Sequence, residues 1–153
     1  MISDISDLPV ELGAGGPLMV ADTTIQGGDY GIYQVAGTVS VTDSTITQAA
    51  GAAIAVLDGS ASVVSSTITD SGAGVLVEET GSASVSGSIL AGNQGTIQDP
   101  AASIYPSLIT GANCYGPVAD RGYNLSTDQS CAWGDWQPQR RHGRRAEPRA
   151  SRK

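Results

Sequence analysis

Residues 39–60 read VSVTDSTITQAAGAAIAVLDGS, and residues 61–82 read ASVVSSTITDSGAGVLVEETGS. The two stretches align without a gap at a period of 22. Val41, Val63 and Val85 share one register, Ile46, Ile68 and Leu90 a second, Ile32, Ile54 and Leu76 a third, and Ser44, Ser66 and Ser88 a fourth. An earlier copy, LMVADTTIQ (18–26), joins the series when one residue is dropped. Within a copy the apolar positions alternate with Ser or Thr, which is the period of a strand with one buried face. Gly37, Gly59 and Gly81 recur ahead of a strand and read as turn residues.

Short strands at a fixed spacing of about 20 residues specify a solenoid, because one copy cannot bury its apolar face alone. Each copy then lies on the next at about 4.8 Å in parallel register, and each column becomes a ladder. A left-handed β-helix needs a hexad rhythm, and 22 is no multiple of six. Leucine-rich repeats need Leu at several fixed positions, and Leu is sparse here. The expected fold is therefore all-β, a right-handed parallel β-helix of about four coils of ~22 residues with an irregular C-terminal cap. The expected divisions are a lead-in (1–17), the coils (18–93), the cap (94–136) and a tail (137–153).

The apolar residues suit a narrow interior: the chain has no Phe and relies on Val, Ile, Leu and Ala. The net charge of −7 is split. Residues 1–136 hold fourteen acidic side chains against Arg121, a net of −13, and residues 137–153 hold seven Arg or Lys against one Glu, a net of +6. The acidic body is a poor electrostatic partner for nucleic acid and anionic membranes and suits polar, neutral ligands. The basic tail lacks apolar periodicity and reads as disordered, either inert or the product of a frame slip. No apolar run is long enough to span a membrane. The opening MISDISDLPVELGAGG lacks the charge and apolar core of a signal peptide, so either the chain is cytoplasmic or its start lies upstream.

GIYQVAGTVSVTDSTIT (31–47), GSILAGN (87–93), NCYG (113–116), RGYNL (121–125) and DQSC (128–131) together resemble the choice-of-anchor Q type of bacterial surface protein. The resemblance covers roughly residues 20–133. It implies a pectate-lyase-like β-helix that is exported, displayed at the cell surface, and part of a longer polypeptide. The chain departs from the family pattern at Asp43, Ser65 and Gly87, where Asn is favoured before the strand-end Ser, and in the extra segment 94–112. Export implies a disulfide between Cys114 and Cys131, the chain's two cysteines, the alternative being two unrelated buried thiols.

Asp22 and Asp43 share a column of neighbouring coils, about 5 Å apart if the strands stack. Such a pair is spaced like the carboxylates of a retaining glycosidase, or could contact Ca²⁺. The preferred reading is a pair of solvated turn residues, because Ser65 and Gly87 continue the column and no base lies within the repeats. Glu78 and Glu79 read as a solvated strand edge. With one His, His142 in the tail, a zinc site is not expected. Tyr30, Tyr33, Tyr105, Tyr115, Tyr123, Trp133 and Trp136 are candidates for stacking on sugar rings, with cap packing the preferred reading for those beyond residue 100. Asn124-Leu125-Ser126 is a formal N-glycosylation triplet that carries no weight in a bacterial-looking chain. The functional expectation is a non-catalytic, adhesion-like display module with polysaccharide or cell-surface partners and no cofactor. The alternative is a carbohydrate-active enzyme or carbohydrate-binding module.

Overall fold

The computed structural model describes residues 2–3, 10–12, 16–78, 80–98 and 108–133. The tail, His142, Glu79, Tyr105 and Trp136 lie outside them. The described residues are all-β and form a parallel β-solenoid. Two short strands, β1 (Ile2–Ser3) and β2 (Glu11–Leu12), open it. Three unbroken coils follow. The first is β3 (Pro17–Ala21), β4 (Thr24–Gln26) and β5 (Ile32–Gln34). The second is β6 (Thr38–Thr42), β7 (Thr45–Thr47) and β8 (Ala52–Val56). The third is β9 (Ser60–Val64), β10 (Thr67–Thr69) and β11 (Ala73–Val77). A fourth coil begins with β12 (Ser82–Ser86) and β13 (Ile89–Ala91).

An excursion then leaves the stack as an antiparallel pair, β14 (Thr96–Gln98) and β15 (Leu108–Thr110). The chain returns through β16 (Cys114–Tyr115), β17 (Val118–Asp120) and β18 (Leu125–Ser126). The irregularity expected beyond residue 94 is present in this detour. Unforeseen was that the returning strands rejoin the repeat, extending each of the three sheets by one strand in parallel register. The sheets run β1-β4-β7-β10-β13-β18, β2-β5-β8-β11-β16 and β3-β6-β9-β12-β17. Among the described residues no helix is long and apolar enough to cross a membrane.

The columns stack as the repeat requires. Val20, Val41, Val63 and Val85 lie in register and are buried, as do Ile25, Ile46, Ile68 and Leu90. The third column needs correction. Ile32 pairs with Ile54, but Ile54 pairs with Val75, not Leu76. The corner before β11 has three residues (70–72) where the corner before β8 has four (48–51). The next corner restores the register with four (78–81) against three (57–59). The slip turns Val75 into the core and leaves Leu76 in a second apolar cluster with Ala52, Ala55 and Ala73.

That second cluster explains why β8 and β11 are buried at every residue. Ile97 of the excursion packs on it, with Tyr30 and Tyr33 alongside, so this sheet is covered on both sides. The neck of the excursion is built of glycine: Gly95 N donates to Gly72 O and Gly111 N to Gly95 O. A side chain at Gly95 or Gly111 would collide with the Gly72 backbone.

The sheets turn into one another at narrow corners, where amides leave the strand ladders and need other acceptors. One corner uses Ser. Thr23 N donates to Ser44 Oγ (3.2 Å), Ser44 N to Ser66 Oγ (3.1 Å), Ser66 N to Ser88 Oγ (3.0 Å) and Ser88 N to Asn124 Oδ1 (2.9 Å). Each Ser hydroxyl in turn donates to the carbonyl two residues back. A second corner carries an equivalent ladder: Ala49 N to Ser71 Oγ, Ser71 N to Asn93 Oδ1, Asn93 N to Asn113 Oδ1, and Asn113 N to Asp128 Oδ2.

Ser66→Ala removes the acceptor of a buried amide and is expected to cost about 1–3 kcal/mol. Ser62→Ala, on the outer surface of the same coil, is expected to stay within about 0.5 kcal/mol. Urea unfolding of the two variants checks the difference, and equal midpoints would mean that the ladder contributes nothing.

Candidate functional site

The excursion covers one outer sheet face, leaving two for contact. The face of β3, β6, β9, β12 and β17 forms a trough of about 710 Å³. Its floor alternates with the core residues, so it carries Met19, Ser40, Ser62, Ser84 and Ala119 in one register and Pro17, Thr38, Ser60 and Ser82 in the next. Met19 is 80% exposed at one end, and Arg121 stands at the other. Along this trough the chemistry is hydroxyl and methyl, with a single charge.

A second hollow, about 720 Å³, lies at the described C-terminal end, between residues 120 and 133. Asp120, Tyr123, Asp128, Gln129 and Trp133 are among its walls. The Cys114–Cys131 disulfide, Cα–Cα 4.7 Å, ties its floor to the last coil. Both cysteines are buried in the main core, and because they are bonded to each other the alternative of two unrelated buried thiols is set aside. Trp133 is half-buried against that core, and its Nε1 donates to Val118 O. Asp128 organises the turn. Its carboxylate accepts from the amides of Asn113 and Ser130 and from the hydroxyls of Ser126 and Ser130. Partial burial pushes this carboxyl up, but the hydrogen bonds from Ser130, Asn113 and Ser126 outweigh it and hold the group below its ordinary value.

The sequence candidates fall into place around these features. Asp22 and Asp43 occupy equivalent exposed corner positions in adjacent coils, with φ of 51° and 48°. Ser65 (49°), Gly87 (58°) and Tyr123 (61°) continue the column. The position demands a left-handed backbone, which Asp, Asn and Gly adopt most readily, and this accounts for Asp22, Asp43 and Gly87 but not for Tyr123. Among the described residues no group of three or more His, Cys, Asp or Glu side chains is placed to hold a metal ion. Glu78 is half-buried in the corner before β12, not on an open edge. Tyr30 and Tyr33 pack on each other at 5.1 Å beside the covered sheet. Beyond residue 100 the aromatics divide: Trp133 packs as expected, whereas Tyr123 is 99% exposed. Asn124, formally a glycosylation acceptor, closes the Ser ladder, and its Nδ2 donates to Val85 O and Asp120 Oδ1.

The Asn113–Asp128 end of the second ladder was missed because its members change type along the column. Asn93 in GSILAGN and Asn113 in NCYG were the available signals. Comparison of the chain with protein-family models, with curated proteins and with solved structures found no match.

Two outcomes follow. Reduction of Cys114–Cys131 opens a loop of 17-residue separation and is expected to remove about 3 kcal/mol, read as a lower urea midpoint. The lowered Asp128 carboxyl gives stability that is full above its ordinary value of 3.8 and is lost as pH falls through the folded value. Asp128→Asn is expected to lower the melting temperature at neutral pH and to flatten its decline in acid. An unchanged acid limb would place the titrating group elsewhere.

Proposed function

We propose that the chain is a non-catalytic display module of an exported bacterial surface protein, adhesion-like, that contacts polysaccharide or other cell-surface components. The observation that carries this reading is the character of the open trough. Five parallel strands present hydroxyl and methyl groups in register, with Arg121 the one charged side chain on its walls among the described residues. A glycosidase needs two carboxylates whose environments drive their pKa values apart, and a lyase needs a base beside a carboxylate-held metal. Asp22 and Asp43 instead serve a backbone corner beside the trough. A rigid, regular surface of small polar groups suits repeated weak contacts along an extended polymer.

The disulfide supports an extracellular setting, where such bridges persist. The sequence resemblance to choice-of-anchor Q proteins points the same way. The second reading, a carbohydrate-binding module, is favoured by one feature, the aromatic hollow beside the last coil.

Beads coated with the oxidised chain are expected to adhere to polysaccharide-coated surfaces. The same protein incubated with pectin, alginate or xylan, with or without Ca²⁺, is expected to release no reducing ends or unsaturated products. Turnover that disappears in Asp22→Asn or Asp43→Asn would overturn the non-catalytic reading. Beads that fail to adhere to any polysaccharide or cell surface would overturn the adhesive one.

A further inference from the structure

We infer that the C-terminal hollow is a binding subsite for a neutral pyranose unit, with Tyr123 as its stacking platform. The inference rests on the adhesive reading and names where a sugar would sit and of which kind.

Tyr123 is the starting point. It is not a glycine, yet its φ is 61°, a backbone that costs a side chain with a Cβ. Packing within the described residues does not offset this, because the residue is 99% exposed. The strand register sets Tyr123 over Gly87, which has no side chain to lie against the ring. Elsewhere in the column the chain uses Asp, Ser or Gly. Among the described residues this large aromatic at a strained corner packs on nothing, which points to a use outside the solenoid.

The surroundings define what the ring would meet. Tyr123 lines a hollow of about 720 Å³, large enough for one or two sugar rings, and half-buried Trp133 lines it too. The axial C–H bonds of a pyranose carry slight positive charge and stack on the negative face of an aromatic ring. Gln129, exposed on the same wall, offers an amide donor and acceptor to ring hydroxyls. Among the described residues the charge is one-sided: Asp120 and Asp128 line the hollow, and no Lys or Arg does. Carboxylates accept hydrogen bonds from neutral hydroxyls and repel uronates and sialates.

The walls are also held in advance. Asp120 accepts from Gly122 N and Asn124 Nδ2, Asp128 is fixed by its turn, and the disulfide clamps the floor. Binding therefore has to order only the exposed side chains of Tyr123 and Gln129.

The test uses the oxidised full chain, titrated calorimetrically with cellohexaose, mannohexaose, xylohexaose and chitohexaose, and with hexagalacturonate as the acidic control. At least one neutral hexasaccharide is expected to bind, and hexagalacturonate is not. Tyr123→Ala is expected to weaken binding by between about twofold and tenfold. Tyr123→Phe is expected to retain it, and Tyr115→Ala, which removes another exposed ring, to leave it unchanged. Neither Tyr123 variant should lower the melting temperature, since among the described residues the ring packs on nothing.

Equal affinity in Tyr123→Ala would overturn the subsite, as would binding of hexagalacturonate alone or of none of the five. The bead assay separates the two readings. Adhesion that survives Tyr123→Ala, together with equal affinities, removes the subsite and leaves the adhesive surface standing.

Discussion

A parallel stack of strands satisfies its own amides along each face, and it fails to do so wherever the chain turns from one face to the next. Everything else in this molecule depends on how those corners are closed. Two of them are closed by side chains that accept the preceding ladder amide: Ser44, Ser66, Ser88 and Asn124 at one, Ser71, Asn93, Asn113 and Asp128 at the other. Burying these amides unpaired would cost as much as several core methyl groups contribute. The ladders therefore let a thin solenoid turn sharply around a core of little more than Val, Ile and Ala.

In the regular coils the corner geometry also dictates the residue before the ladder position. One residue in a left-handed conformation suffices to swing the chain between two sheets. Asp22, Asp43, Ser65 and Gly87 do so at one corner, and Gly27, Gln48, Asp70 and Gly92 at the other. Read as chemistry, a column holding two carboxylates invites a catalytic or metal-binding interpretation. Read as backbone, it is a column of residues that tolerate positive φ. The two readings use the same letters, and the dihedral angles favour the second.

Legibility in the sequence followed the same physics. The Val and Ile columns and the Ser ladder were visible because each position stacks on a near-copy of itself. The slip at Val75 and Leu76 was not, because Val75, Leu76 and Val77 are all apolar in a strand covered on both sides. Without alternation, nothing in the letters says which neighbour points inward. The return of the chain at β16 to β18 was hidden for another reason. The excursion lengthens the spacing between Ser88 and Asn124 to 36 residues, so a search at 22 finds no partner. The cysteine pair was legible only through family resemblance, and the aromatic hollow not at all, since it depends on the turn that brings Tyr123 and Trp133 to one hollow.

Self-templating carries a consequence for where distinct chemistry can reside. In the middle of the stack each side chain lies on its equivalent above and below, at about the strand spacing. A residue that departs from its column must be tolerated by two neighbours, and an isolated charge or bulky ring there disturbs both. The constraint relaxes at two places. One is an excursion that leaves the stack, as at residues 94–112. The other is the last described coil, where among the described residues a side chain has a column neighbour on one side alone. Tyr123 follows Gly87 in its column, and among the described residues no later corner lies on it. Asn124, immediately after it, is still bound by the ladder and keeps the amide-accepting chemistry of the serines it follows. The pair thus marks the boundary between the part of the chain that must match itself and the part that is free to match something else.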